Sequence, residues 1–166
     1  MNLAWDKATS LSVIGLYIIP CLHAWWSWDP RKLIPLVGMM VTVGVNETLK
    51  HYVIGKASPR PPQARDCNLW GNDGPQGGRP GAPSGHSAHV SFFVGYYLQT
   101  LSNTSPWISL LLIGYGILVM LSRYTQCCHT LPQILSGSAL GIALSVLFYS
   151  LSSPSSSLSP SWLVRP

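Results

Sequence analysis

Charged residues are scarce in this chain. Asp, Glu, Lys and Arg make up only 9% of its 166 residues, whereas 47% are apolar or aromatic. A soluble globular domain carries about 25% charged residues. The shortage therefore excludes an ordinary soluble domain and indicates a membrane protein.

Acidic residues are scarcer still, with five against ten Lys and Arg, which gives a net charge of +5. Half of the basic residues lie in one segment between two apolar runs: Lys50, Lys56, Arg60, Arg65 and Arg79. They form no stripe along one predicted element, so nucleic acid is not an expected partner. A water-facing loop that meets phosphate fits them, as does a loop that only sets the membrane orientation.

Cysteine is also sparse, and the four cysteines include no CxxC pair. Adjacent residues rarely share one tetrahedral site, so the run Cys127-Cys128-His129 does not predict a metal centre. We expect no metal and no other cofactor. On a lumenal or extracellular face Cys67 can pair with Cys127 or Cys128, and the sequence leaves open which. A cleavable signal peptide is not expected either, because the first apolar run is too long.

Five apolar runs are close to the roughly 20 residues that a membrane-spanning helix needs. They cover residues 8–26, 33–49, 87–101, 107–121 and 131–151. The third and fourth are short, so we expect them to borrow flanking residues or to lie partly inside a bundle. The sequence predicts an all-α, polytopic transmembrane helix bundle of about five spans, with one domain over residues 1–151. The Ser/Pro-rich tail, residues 152–166, is predicted to be disordered.

The order of the spans predicts which segments share a side of the membrane. The N-terminus, the loop 51–86 and the turn 123–130 lie on one side, which therefore receives every candidate catalytic group. The other side carries an aromatic belt, typical of a membrane interface: Trp25, Trp26, Trp28 and Trp107. If the loop charges serve the substrate, the remaining basic residues place the catalytic face on the lumenal or extracytoplasmic side.

The last span carries a row of residues at i, i+4 spacing, which share one helix face. They are His129, Gln133, Gly137 and Gly141. The two glycines predict a small-residue seam where another helix approaches closely. The same face would bring His129 to the end of the bundle.

The run PSGHSAH follows a Pro/Gly-rich loop and opens the third apolar run. A helix that starts at Ser84 and Gly85 presents unpaired N–H groups and the positive end of its dipole, which suits a phosphate. His86 in the first turn can transfer a proton. The segment SRYTQCCH adds Arg123 and His129 near a second helix start. A cation cluster with two imidazoles has the parts that phosphoryl transfer requires.

Three segments together, LKHYVIGKASPRP, PSGH and SRYTQCCH, resemble the signature motifs of the phosphatidic acid phosphatase type 2 superfamily. The resemblance covers residues 49–137. It implies a metal-independent membrane phosphatase in which His129 is the nucleophile that forms a phosphohistidine and His86 is the general acid. It further implies a phosphate held by cations and a helix start: Lys50, Arg60, Arg123, Ser84 and Gly85.

The first motif departs from the pattern of the family, which usually has six residues between its Lys and Arg-Pro. Nine residues separate Lys50 from Arg60 here. An insertion near residues 57–58 would restore the pattern with Lys50. Lys56 instead matches an Arg that some members carry after Gly. We favour Lys50, because the end of a helix fixes its position, and keep Lys56 as the alternative.

The third motif departs at Gln133, where most members carry an Asp that orients the nucleophilic His. A Gln carbonyl fixes the imidazole tautomer but adds no charge. His-Thr followed by Gln resembles the dolichyl diphosphatase branch, and a diphosphate has a better leaving group than a monoester. We therefore expect a polyprenyl diphosphate substrate held in the bilayer. The alternatives are a phosphatidate-like or phosphatidylglycerophosphate-like monoester, or an inactive protein that binds lipid phosphate. The oligomeric state is left open.

Overall fold

The fold is a bundle of five α-helices, seen in a computed structural model that describes residues 3–101 and 106–152. The helices are α1 Leu3–Ser27, α2 Ile34–Thr48, α3 Gly85–Thr100, α4 Pro106–Thr125 and α5 Leu131–Ser152. A π-helical turn, Leu49–Ile54, and a 3-10 turn, Gly55–Ala57, extend α2. The described ranges contain no β-strand, which confirms the predicted all-α class. The tail that is predicted to be disordered lies outside the described residues, except for Ser152, which is the last residue of α5.

Four helical segments in the described part of the chain are long and apolar enough to cross a membrane. They are Lys7–Ser27, Pro30–Ala57, Pro106–Thr125 and Leu131–Ser152. The third predicted span, now α3, has only 16 residues. This helix is internal: it packs against all four other helices, most extensively against α5, and none of its apolar side chains is exposed. The short third run therefore lies inside the bundle, as its length suggested.

Helices α3 and α5 pack backbone against backbone along the predicted glycine seam. A Cβ atom at Gly137 would lie 2.4 Å from the carbonyl oxygen of Ser84, and one at Gly141 would lie 2.2 Å from that of Ala88. Any larger residue would therefore force the two helices apart. The seam brings the start of α5 beside the start of α3.

The other four helices present apolar side chains outward, as helices in contact with lipid do. Exposed examples are Ile18 of α1, Met40 of α2, Leu111 of α4 and Ile142 of α5. The guanidinium of Arg123, at the end of α4, donates to Ser10 at the start of α1, so these two helices are antiparallel. The end of α1 and the start of α4 consequently lie together, and the four tryptophans of the predicted belt are exposed there.

The long loop between α2 and α3 contains no regular element but is closed on itself by backbone contacts. Isolated antiparallel bridges pair Pro59 with Pro80 and Arg65 with Pro75. At its neck the N–H of Gly81 donates to the carbonyl of Ser58 at 2.9 Å. The two ends of the loop are therefore held together at the end of the bundle.

Replacement of Gly141 by Ala is expected to destabilise the bundle, because the new Cβ would meet backbone atoms that cannot move aside. Overpacking of this kind costs about 1–3 kcal/mol. Gly114→Ala in α4 is the matched control, since nothing lies within 4 Å of the corresponding Cβ position. Thermal unfolding in detergent measures both. Equal stability of the two variants would contradict the seam.

Candidate active site

A cavity of about 350 Å³ lies at the end of the bundle where the loop joins it. The end of α2, the loop, the start of α3 and the turn before α5 each contribute to its lining. The predicted site residues among the lining are Lys50, Arg60, Gly85, His86 and His129. These four segments, together with α1, therefore meet around one space. No group of three or more His, Cys, Asp or Glu within residues 3–101 and 106–152 is arranged to hold a metal ion.

The two candidate lysines differ in position. Lys50 is buried and lines the cavity, whereas Lys56 is exposed and is not among the lining residues. Lys50 lies in the π-helical turn Leu49–Ile54, and the 3-10 turn follows directly. A π-turn accommodates extra residues within a helix and is common at functional sites. Lys50 thus lines the cavity together with Arg60, although nine residues separate the two in sequence.

The start of α3 has the geometry of an anion site, with one correction to the prediction. The Ser84 side chain makes no capping bond to the helix; its hydroxyl accepts instead from Ser87 at 3.0 Å. The backbone N–H of Ser84 donates to the carbonyl of Gln133 at 2.9 Å. Ser84 was expected to offer that N–H to phosphate. Gly85, and not Ser84, lines the cavity at the start of α3. Ser84 instead joins the start of α3 to α5.

Buried polar atoms without partners mark the cavity. The Nε and Nη1 donors of Arg60 and the Nε2 atom of His86 are all buried, and none has a hydrogen-bond partner among residues 3–101 and 106–152. Leaving such groups unsatisfied costs about 1–3 kcal/mol each, and more for charged groups. An anion in the cavity would satisfy them, so the residues present suit a phosphate group.

Arg123 is placed differently from the expectation that it would fork onto phosphate. Its side chain is fully buried, and its Nη2 atom donates to Ser10 at 2.7 Å and to the Gln126 side chain. It is not among the residues that line the cavity. Its carbonyl accepts from the N–H groups of Cys128 at 3.1 Å and His129 at 3.3 Å. Arg123 thus supports the backbone that carries His129.

The orientation of His129 is fixed by Gln133. The amide nitrogen of Gln133 donates to the carbonyls of Ser58 at 3.2 Å and Pro59 at 2.8 Å. The amide oxygen accepts from the N–H of Thr130 at 3.1 Å and faces Nδ1 of His129 at 3.3 Å. With the amide oriented by these partners, Nδ1 of His129 must be the donor. The neutral imidazole therefore keeps its lone pair on Nε2.

Burial sets the charge of His129. Loss of solvation on burial, followed by the nearby positive charge of Arg60, lowers the pKa of His129 from 6.5 to about 3. The imidazole of His129 is therefore neutral at physiological pH. A neutral ring with a free lone pair on Nε2 is the form that can act as a nucleophile.

Several cavity residues were not singled out by the motifs. Glu47 lines the cavity and accepts from Lys50 and, at 3.1 Å, from the buried amide of Asn46. His89 lines it as well; its ring contacts the carbonyl of Gly85 at 2.9 Å through Nδ1 and the Tyr17 hydroxyl through Nε2. Asn46 and Lys50 are four residues apart, so helical spacing was the signal that could have identified Asn46.

A disulfide joins Cys67 in the loop to Cys128 in the turn before α5, and both cysteines are buried. This settles which of the two candidate cysteines pairs with Cys67. Cys127 and Cys21 are free and exposed. The covalent bond attaches the loop to the residue that immediately precedes His129.

Comparison with known proteins identifies the family of this chain. The sequence model of the PAP2 superfamily matches residues 31–156, well over half of the chain. Searches of curated proteins and of solved structures gave no match. The matched range includes the three motifs and the cavity residues of α2, the loop, α3 and the turn before α5. The chain therefore belongs to the PAP2 superfamily, as a phosphatase of the membrane.

Proposed function

We propose that this protein hydrolyses a polyprenyl diphosphate in the bilayer through a phosphohistidine at His129. The observation that carries the proposal is the cavity in which two imidazoles, Lys50 and Arg60 meet. The buried guanidinium donors of Arg60, which have no partner in the described part of the chain, support an anionic ligand there. Membership of the PAP2 superfamily supports phosphate as that anion.

The apolar part of the cavity supports a lipid substrate. Val13 and Tyr17 of α1, Val43 of α2 and Leu69 of the loop share the lining with the catalytic residues. Val43 is itself exposed on the outer surface of α2. Apolar lining thus continues from the phosphate end toward the surface of the bundle between α1 and α2. A substrate with its phosphate at Lys50 could leave its hydrocarbon tail in the membrane.

Two displacements account for hydrolysis with the residues present. In the first, Nε2 of His129 forms a bond to phosphorus, the bond to the leaving oxygen breaks, and His86 gives that oxygen a proton. In the second, water attacks phosphorus, the N–P bond breaks, and His86 takes up the proton from water. Lys50, Arg60 and the start of α3 stabilise the charge on the other phosphate oxygens in both steps.

The choice of a diphosphate over a monoester is supported by Gln133. An amide oxygen holds the imidazole of His129 but leaves its pKa at about 3. A weakly basic nucleophile suits a good leaving group, and a lipid monophosphate is a better leaving group than an alcohol. The Gln133 amide nitrogen has its own role, because it donates to loop carbonyls that a carboxylate would repel.

We further propose that the catalytic face lies in the lumen or outside the cell. The disulfide between Cys67 and Cys128 supports this orientation, since disulfides persist in oxidising compartments and are rare in the cytosol. The opposite end then carries Arg31 and Lys32, in agreement with the preference for positive charge on the cytoplasmic side.

The purified enzyme is expected to release phosphate from polyprenyl diphosphate faster than from phosphatidate or phosphatidylglycerophosphate. His129→Ala should abolish turnover, and His86→Ala should lower it by about 10²–10⁴-fold, as for loss of a general acid. His23→Ala, at the other end of the bundle, is the control and should stay active. Activity that survives both catalytic substitutions would place the reaction elsewhere, and preference for a monoester would support the alternative substrate class.

Lys50→Met is expected to weaken inhibition by vanadate, a mimic of pentacoordinate phosphorus, by about 10- to 100-fold. Loss of one hydrogen bond to a charged group corresponds to about 1.5–3 kcal/mol. Lys56→Met is the matched control, because Lys56 is exposed and lies outside the cavity lining. Weaker inhibition of Lys56→Met with unchanged inhibition of Lys50→Met would assign phosphate binding to Lys56.

His129 is expected to react with diethyl pyrocarbonate at a nearly constant rate from about pH 7 to about pH 5, because its pKa of about 3 keeps it neutral throughout. The reaction needs the neutral ring, so free N-acetylhistidine loses reactivity over that range. Gln133→Glu should raise the pKa of His129, so that His129 in this variant loses reactivity as the pH falls from about 7 to about 5. Peptide mapping by mass spectrometry measures the rate. A wild-type rate that falls in parallel with N-acetylhistidine would contradict the assignment.

The orientation can be measured on Cys127, which is free and exposed on the catalytic face. In a Cys21→Ser variant it is the one free thiol, because Cys67 and Cys128 are bonded to each other. A membrane-impermeant maleimide should label Cys127 in intact cells or from the lumenal side of sealed vesicles. If the maleimide labels Cys127 only from the cytosolic side, the catalytic face is cytosolic and the proposed orientation is wrong.

A further inference from the structure

We infer that the Cys67–Cys128 disulfide is a positioning element of the active site, which holds Arg60 against His129. The inference rests on the proposed function, because it assigns a role within the same reaction. Two segments of the chain carry Arg60, His129 and the two bonded cysteines. One segment runs from Pro59 through Arg60 to Cys67, and the other runs from Cys128 through His129 to Gln133.

The two segments are joined at both ends. At one end the amide nitrogen of Gln133 donates to the carbonyl of Pro59 at 2.8 Å. At the other end the disulfide links Cys67 to Cys128. Arg60 lies on one segment and His129 on the other, so both fall inside a closed ring of chain. We call this ring the clasp, meaning residues 59–67 and 128–133 with these two links.

The side chains within the clasp act on the same space. Arg60 and His129 both line the cavity, and after burial the charge of Arg60 is the largest contribution that lowers the pKa of His129. The two residues come from chain segments about 60 residues apart, with a disulfide separation of 61. Their mutual position therefore depends on contacts between the loop and the start of α5.

The disulfide is the covalent part of those contacts. Cys67 and Cys128 are 2% and 0% exposed and pack with Ala64 of the loop.

The loop has no helix or strand of its own, but Arg60 is tied to the rest of the loop by its backbone: its N–H donates to the carbonyl of Arg79 at 2.8 Å, and its carbonyl accepts from the N–H of Gly78 at 3.2 Å. These bonds fix Arg60 relative to the loop and not relative to His129. Without the covalent link, the hydrogen bonds of Gln133 would have to hold the loop, and Arg60 with it, beside the start of α5. A displacement of about 1 Å at a catalytic centre can lower a rate by about 10²-fold.

The test compares Cys67→Ser and Cys128→Ser with Cys127→Ser, which removes the exposed, unbonded thiol next in sequence to Cys128. For each variant the inhibition constant for vanadate and the KM and kcat for polyprenyl diphosphate are measured, together with thermal unfolding. Loss of folded protein lowers the maximal rate but leaves KM and the vanadate constant unchanged. Displacement of Arg60 from His129 changes those two constants in the molecules that remain folded.

The clasp predicts that both bond-breaking variants raise the vanadate constant by about 10- to 100-fold, while Cys127→Ser matches wild type. Treatment of the wild type with a phosphine should reproduce the change. The phosphine reduces the disulfide to two thiols and is itself oxidised to the phosphine oxide, and water supplies the oxygen atom and both thiol protons. An unchanged vanadate constant with lower thermal stability would overturn the inference and leave the disulfide a purely structural bond.

The vanadate comparison tests the clasp even if the lipid substrate is wrongly identified. If the wild type hydrolyses none of the lipids, the proposed function fails, yet direct titration of vanadate binding still compares the variants. Weaker binding in Cys67→Ser and Cys128→Ser would then support the clasp without the reaction. Equal binding in all four proteins would overturn it.

Discussion

The close approach of α3 to α5 is the constraint on which the site depends. Gly137 and Gly141 bring α5 so near that their missing Cβ atoms would lie within 2.4 Å of backbone oxygens of α3. The same contact aligns the start of α3, where His86 lies, with the start of α5, which follows His129. Ser84 strengthens the alignment by donating its N–H to the carbonyl of Gln133 at 2.9 Å. Helix packing thus determines how the two imidazoles face one cavity.

Around that junction the protein buries positive charge with little negative charge beside it. Lys50 has Glu47 as a partner, but two guanidinium nitrogens of Arg60 have none among the described residues. A buried charge without a partner is unfavourable, and a charge-assisted hydrogen bond to an anion offsets this cost. The disulfide and the Gln133 amide hold the loop in place and so keep Arg60 from turning out to water. The position of the loop and the proposed binding of an anion by Arg60 therefore depend on the same contacts, the disulfide and the hydrogen bonds of Gln133.

Much of this arrangement was predictable from the sequence. Long apolar runs predict the helices, and the order of the spans brings His86 and His129 to one end of the bundle. The glycines at i, i+4 spacing predict the seam. The internal position of α3 was less certain, because hydropathy does not distinguish a helix surrounded by protein from one surrounded by lipid. Only the short length of the third apolar run indicated that α3 is internal.

Other features depend on contacts between distant segments, which spacing does not reveal. The π-helical turn that contains Lys50 is one feature that neither hydropathy nor motif spacing predicted. Arg123 was expected at the phosphate, yet Ser10 and Gln126 accept from its guanidinium. The second role of Gln133, as a donor to Ser58 and Pro59, requires the folded loop, and so does the choice of Cys128 over Cys127 as the partner of Cys67.

The most direct measurement of the central claim is the identity of the phosphorylated residue. Purified enzyme would be mixed with polyprenyl diphosphate labelled at the terminal phosphate, quenched in alkali within one turnover, and digested for mass spectrometry. Phosphohistidine is stable in alkali, so it survives this treatment. The account predicts the label on His129 and its absence in His129→Ala. Label on any other residue of an active enzyme would contradict it.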